Sequence, residues 1–175
     1  MGETLTYNAG GASFRRGWPF TLAATVLTAT LCSFAYTAVG GGGEGWHSVV
    51  RTSAKTSLLF FLAAFVASSL RPLWRAPVTA WLLANRRYVG VSFATSHFIH
   101  LVGILMVAKL SPDFTSSTVT VIFGGLGYVL LFAMAATSFD GAVARLGRRR
   151  WQALHRVGMY YLWFIFVISY VPRAL

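Results

Sequence analysis

Four histidines carry most of the chemistry this chain can offer: His47, His97, His100 and His155. His97 and His100 stand three residues apart inside a long apolar run. On a helix that spacing puts two imidazoles on one face, about 60° apart around the axis and about 4.5 Å apart along it. His155 opens a second apolar run, and His47 lies in a glycine-rich connection beside Gly45 and Trp46. Ionisable side chains inside membrane-length apolar segments are costly, so their presence asks for a use. Two neutral imidazoles facing each other across a helix bundle make an axial pair for a haem iron. The same residues suit a proton relay or hydrogen bonds between helices, and spacing does not choose among the three.

Other chemistries have little to work with. Glu3, Glu44, Asp113 and Asp140 all fall in connections or at the start of the chain. That leaves no carboxylate pair for acid–base catalysis and no histidine–carboxylate metal site. A proton-coupled transporter usually carries acids inside its spans and shows internal repeats, and neither is visible. No G-x-S-x-G elbow occurs among the serines. Cys32 is the single cysteine, which forms neither an internal disulfide nor a thiolate metal cluster.

The elements that must position these residues are membrane helices. Of 175 residues, 56% are hydrophobic and 11% charged, more apolar surface than a soluble domain of this length can hide. A helical span needs about 20 mainly apolar residues. Five runs qualify: Trp18–Val39, Val49–Leu70, Tyr88–Leu110, Thr118–Thr137 and Leu154–Val171. The second is the weakest, with Arg51 and Lys55 in its opening turns, from which both can snorkel to the headgroups. Gly40–Gly43, Pro72, Pro77 and Ser111-Pro112-Asp113 punctuate the connections. Trp18, Tyr36, Trp46, Trp74, Trp81, Tyr88, Trp151 and Tyr170 fall near the predicted interfaces, as an aromatic belt does. Gly124, Gly125 and Gly127 in the fourth run allow close helix approach or leave room for a flat group.

The net charge of +11 fits topology better than a nucleic-acid partner, because the basic residues cluster between apolar runs rather than along an aromatic-studded stripe. Eleven Lys and Arg fall on one side (Arg15, Arg16, Arg71, Arg75, Arg86, Arg87, Arg145, Arg148, Arg149, Arg150 and Arg156) and four on the other (Arg51, Lys55, Lys109 and Arg173). The positive-inside rule puts the larger set in the cytoplasm. The fold expected is an all-α integral membrane bundle of five transmembrane helices, N-terminus cytoplasmic and C-terminus outside. Residues 1–17 are expected to form a cytoplasmic tail and residues 18–175 a single transmembrane domain in the lipid bilayer.

Two stretches carry a resemblance. Arg86-Arg87-Tyr88-Val89-Gly90-Val91, with His100 thirteen residues after Arg87, resembles a motif of the ferric-reductase-like transmembrane family. Thr137-Ser138, then Leu146-Gly147-Arg148-Arg149-Arg150-Trp151, then Leu154-His155 is similar to the loop-to-helix segment of the same family. The resemblance runs from about Arg51 to the C-terminus. It implies b-type haem and electron movement across the membrane, with His100 and His155 as haem-ligand candidates and His97 competing from the same helix. Arg86 and Arg87 then become candidates to pair with haem propionates, although topology alone also accounts for them.

Many family members carry a second histidine thirteen residues after the first on the last helix. Here that position is Ile168, which argues for one haem b. If Arg87 and Arg150 mark the same interface, His155 lies about 7.5 Å shallower than His97 and about 12 Å shallower than His100. No Gly-rich dinucleotide fingerprint occurs, so electrons are expected from a soluble or membrane redox partner protein, or from a quinol. The function expected is a haem-bearing electron-transfer subunit, rather than a complete enzyme, in a bacterial inner membrane. The competing class is a haem-free membrane scaffold or assembly subunit.

Overall fold

The computed structural model describes residues 17–111 and 114–174, without the side chains of residues 172–174. Residues 1–16 of the tail expected over residues 1–17, with Glu3, Arg15 and Arg16, and also Pro112, Asp113 and the Arg173 side chain, lie outside the described residues. Seven helices are seen, and no strand occurs among the described residues: α1 Trp18–Ala38, α2 Gly42–Leu73, α3 Pro77–Ala84, α4 Arg86–Leu110, α5 Thr118–Ala136, α6 Asp140–Leu146 and α7 Arg148–Ala174. Five of them (α1, α2, α4, α5 and α7) are long and apolar enough to cross a bilayer. The chain is an integral membrane protein, and its exposed apolar side chains, such as Leu22, Phe34, Val129 and Phe132, meet lipid.

Local sequence sets the ends of these helices. Pro19 sits in the first turn of α1, where its missing N–H is not needed. Gly40, Gly41 and Gly42 all take positive φ (81°, 75° and 63°), a conformation open to glycine, and this reverses the chain between α1 and α2. Ser117 caps α5 by accepting from the Thr120 N–H at 3.1 Å. Gly147, at φ 76°, separates α6 from α7.

Two helix starts and two connections differ from expectation. α2 begins at Gly42 rather than Val49, so Arg51 and Lys55 are not in its opening turns and Glu44 is in its first turn. α7 begins at Arg148 rather than Leu154, which puts His155 two turns in. The connections after α2 and α5 fold into the short helices α3 and α6.

The spans form two groups. α1, α2 and α4 pack together, joined by short hydroxyl side chains that fit between close helices and hydrogen-bond across them. Thr25 Oγ1 meets Thr95 Oγ1 at 2.8 Å, Thr28 Oγ1 meets Ser96 Oγ at 3.1 Å, and the Thr21 hydroxyl donates to the Tyr88 carbonyl at 3.2 Å. In lipid each such bond is worth about 0.6 kcal/mol. α5 and α7 form the second group, with α6 packed against α7. Between the groups lies a seam of large apolar side chains. Phe61 of α2, Phe93 of α4 and Phe166 of α7 meet there with ring centroids 4.9–6.0 Å apart, closed from the α5 side by Leu131 and Met134.

Candidate functional site

The seam positions the candidate residues at two depths. At the deeper level, His97 and His100 project from α4 toward α2, as their spacing predicts, and their rings stack at 5.1 Å and 28°. His97 also stacks on Tyr128 of α5 at 5.1 Å and meets Phe166 of α7 edge-on at 5.7 Å.

The α2 face opposite carries Ser53 and Ser57, four residues apart and fully buried. His97 Nδ1 lies 3.0 Å from Ser57 Oγ, and His100 Nδ1 lies 3.2 Å from Ser53 Oγ and 3.0 Å from the Val50 carbonyl. These distances assign the protons. A carbonyl only accepts, so His100 Nδ1 is the donor. The Ser57 hydroxyl gives its proton to the Ala54 carbonyl at 3.0 Å, so His97 Nδ1 donates to Ser57 as well. As neutral imidazoles, both rings therefore keep the Nε2 lone pair. That is how a supporting hydrogen bond presents a histidine to a metal.

The shallower level is at the arginine-rich end of the bundle, the end expected to face the cytoplasm. Here α2, α4 and α7 border a cavity of about 640 Å³, a volume typical of a cofactor site. His155, Arg86, Arg87, Gly90, Trp151 and Tyr160 are among its lining residues. His155 packs on Trp151 with ring centroids 4.3 Å apart, and its Nε2 lies 3.3 Å from Thr137 Oγ1. The Thr137 hydroxyl donates to the Ala133 carbonyl at 2.7 Å, so its oxygen accepts from His155 Nε2–H. Arg86 Nε donates to the Ala64 carbonyl at 2.9 Å, leaving the rest of its guanidinium for the cavity. Arg87 is more committed: it donates to the Ser138 carbonyl and forms the ion pair with Asp140 at 2.6 Å. A Cβ added at Gly90 would meet nothing within 4 Å, so the cavity extends up to the α4 backbone there.

The two levels are well separated. Arg87 bonds Ser138, next to Thr137, and Thr137 bonds His155, so His155 is level with Arg87. Arg150 therefore does not mark the depth of Arg87; it lies about five residues further out, which the expected 7.5 Å gap did not allow for. Phe166, eleven residues beyond His155, touches His97, so the axial gap from His155 to His97 is about 16 Å. Two axial imidazoles hold their nitrogens about 4 Å apart, from metal–nitrogen bonds of about 2 Å. The structure thus joins His97 with His100, and His155 with Arg86 and Arg87, but does not bring the two sets to one iron. His47, in α2 beyond Trp46, joins neither set.

A family model for the ferric reductase like transmembrane component matches residues 52–167. The chain belongs to this family. All five candidates (Arg86, Arg87, His97, His100 and His155) fall inside the matched stretch, as do Ser53 and Ser57. Relatives named protein-methionine-sulfoxide reductase heme-binding subunit MsrQ are similar over about two thirds of the chain. The one from Ralstonia nicotianae is 32% identical over 123 residues, 66% of this chain and 54% of its own. The one from Rhodospirillum rubrum is 31% identical over 129 residues, 68% of this chain and 59% of its own. The one from Polaromonas naphthalenivorans is 28% identical over 122 residues, 66% and 54% respectively. The chain spans about half the length of the curated relatives it matches. No solved structure matches it.

The paired serines of α2 that contact the two histidines do not stand out in the sequence. Their signal is a matched spacing. Ser53 and Ser57 are one turn apart, as are His97 and His100 on the antiparallel neighbour, so each hydroxyl meets one imidazole.

Proposed function

We propose that this chain is a membrane electron-transfer subunit that holds one haem b in the cytoplasmic-end cavity and passes electrons across the bilayer to or from a partner redox protein. The observation that carries the reading is the cavity of about 640 Å³, which gathers His155, Arg86 and open space at Gly90 between α2, α4 and α7. The relatives named as heme-binding subunits support it.

Haem supplies one-electron redox chemistry when bound. The chain's own residues do the rest. His155 is the nearest imidazole to the cavity, and Trp151 and Thr137 fix the plane of its ring. Arg86 offers charge-assisted donors to a carboxylate such as a propionate. Arg87, through Ser138 and Asp140, ties α4 to the α5–α6 corner and so holds the cavity's two sides in register. Phe65, Met159 and Tyr160 line the cavity and offer a porphyrin ring a largely apolar wall.

His97 and His100 are the competing ligand candidates at the deeper level, with Nε2 lone pairs presented by Ser57, Ser53 and Val50. Their bonds to α2 also favour a second role, fastening α2 to α4. Electrons would come from a soluble or membrane donor, or a quinol, in a bacterial inner membrane.

The test is to purify the chain with His97, His100 and His155 each changed to alanine and to quantify haem b by the pyridine haemochrome assay. One haem per chain in the parent, lost in His155→Ala and kept in the other two, is the expected pattern. Haem kept in all three variants would overturn the ligand assignment, and no haem in the parent would favour a scaffold or assembly subunit.

A further inference from the structure

The cavity beside His155 has iron-ligating groups on one wall only. Of its lining residues, His155, Met159 and Tyr160 carry groups that ligate haem iron. All three come from α7. Two axial ligands lie on opposite faces of a porphyrin. Residues on successive turns of one helix cannot supply both, because the ring between them would cut through the helix backbone. The other walls include Ala64, Phe65, Ser68 and Ser69 of α2 and Gly90 of α4. Arg86 and Arg87, beside Gly90, stay protonated and have no lone pair to give a metal.

Helix register gives the same answer at the deeper level. α4 and α7 both start at the arginine-rich end. Arg87 and His155 are level, through Ser138 and Thr137. His97, ten residues past Arg87, meets Phe166, eleven past His155, with ring centroids 5.7 Å apart. Equal counts along the two helices therefore stay level. His100 is thirteen residues past Arg87, and Ile168 is thirteen past His155. So His155 is level with an arginine of α4, and His100 is level with an isoleucine of α7. The two helices present no level pair of histidines.

Space remains on the side of the cavity away from α7. A Cβ at Gly90 would meet nothing within 4 Å. Arg86 gives one N–H to the Ala64 carbonyl at 2.9 Å and keeps its other guanidinium donors. Ser68 and Ser69 add hydroxyls to the same side. Steric access and hydrogen-bond donors next to a haem iron decide whether it takes a diatomic ligand or only passes electrons.

We propose that His155 is the only protein ligand of the haem iron, and that the α2–α4 side of the cavity admits a neutral diatomic ligand, such as carbon monoxide, to the ferrous form. The inference rests on the haem reading above and gives the same site a second capability, the binding of a small exogenous molecule.

The test is a carbon monoxide titration of the full chain, purified with its haem in detergent and reduced with dithionite in the absence of oxygen. Soret absorbance follows binding, and electron paramagnetic resonance of the oxidised chain reports the spin state. The expected result is a high-spin ferric signal and a Soret shift of the whole haem population at one carbon monoxide per haem. Both are expected unchanged in His97→Ala and His100→Ala, with circular dichroism confirming that the variants keep their helicity. A low-spin parent whose Soret band ignores carbon monoxide would overturn the proposal. So would carbon monoxide binding that appears only in His97→Ala or His100→Ala, because that histidine would then be the second ligand. A parent purified without haem would overturn the underlying haem reading, and this inference with it.

Discussion

Gly90→Leu puts a side chain into the cavity at the arginine-rich end without pressing on the helices around it. A Cβ at Gly90 meets nothing within 4 Å, and the residue is interior to α4. A helix-interior glycine costs about 0.8–1.0 kcal/mol relative to alanine, so the substituted chain should be as stable as the parent or slightly more so. If the cavity holds haem, the added leucine occupies the same space. Overpacking a filled site costs about 1–3 kcal/mol, which weakens binding about 5- to 150-fold. The assay titrates haem into the cofactor-free chain in nanodiscs, following Soret absorbance, with thermal unfolding by circular dichroism in parallel. Gly124→Leu is the control, because a Cβ there also meets nothing within 4 Å but Gly124 does not line the cavity. Haem affinity unchanged in Gly90→Leu, with the fold intact, would refute the placement of haem in this cavity.

Three other outcomes follow from the same contacts. Ser57→Ala removes the acceptor from His97 Nδ1–H and should cost about 0.6–1.7 kcal/mol. Ser53→Ala should cost less, because His100 keeps the Val50 carbonyl; steric-trap unfolding in bicelles reads the difference. Arg87→Ala should destabilise the α4–α5 corner by about 1 kcal/mol through loss of the bond to Ser138. Asp140→Ala should change little, because that carboxylate is 96% exposed and surface ion pairs are weak; thermal unfolding of the two variants checks the order. Thr137→Val frees His155 Nε2 from its hydroxyl partner while keeping the side chain's shape, and should shift the haem redox potential without loss of haem, as potentiometric titration would show.

Much of this architecture was legible in the chain because lipid imposes a strict rule. Backbone groups in hydrocarbon must bond within their own segment, so apolar length alone marks α1, α4 and α5 to within a few residues. The i, i+3 spacing of His97 and His100 likewise sufficed to place them on one face. What stayed hidden depended on pairing between helices. The start of α2 at Gly42 was masked by Arg51 and Lys55, which break the apolar run at positions where the helix continues. The depth of His155 was misread because Arg148, Arg149 and Arg150 look like an interface marker level with Arg87. Only the chain of contacts from Arg87 through Ser138 and Thr137 shows that His155 itself is level with Arg87. The role of Ser53 and Ser57 needed the α2–α4 register, which no single-segment pattern contains.

The central claim is that the chain holds a redox-active haem b beside His155. The most direct measurement is the dithionite-reduced minus air-oxidised absorbance spectrum of the purified parent chain and of His155→Ala, recorded at equal protein concentration. With haem b held beside His155, b-type α and Soret bands appear in the parent and are lost in His155→Ala with helicity retained. A parent spectrum without those bands, or bands of equal size in both proteins, would contradict it.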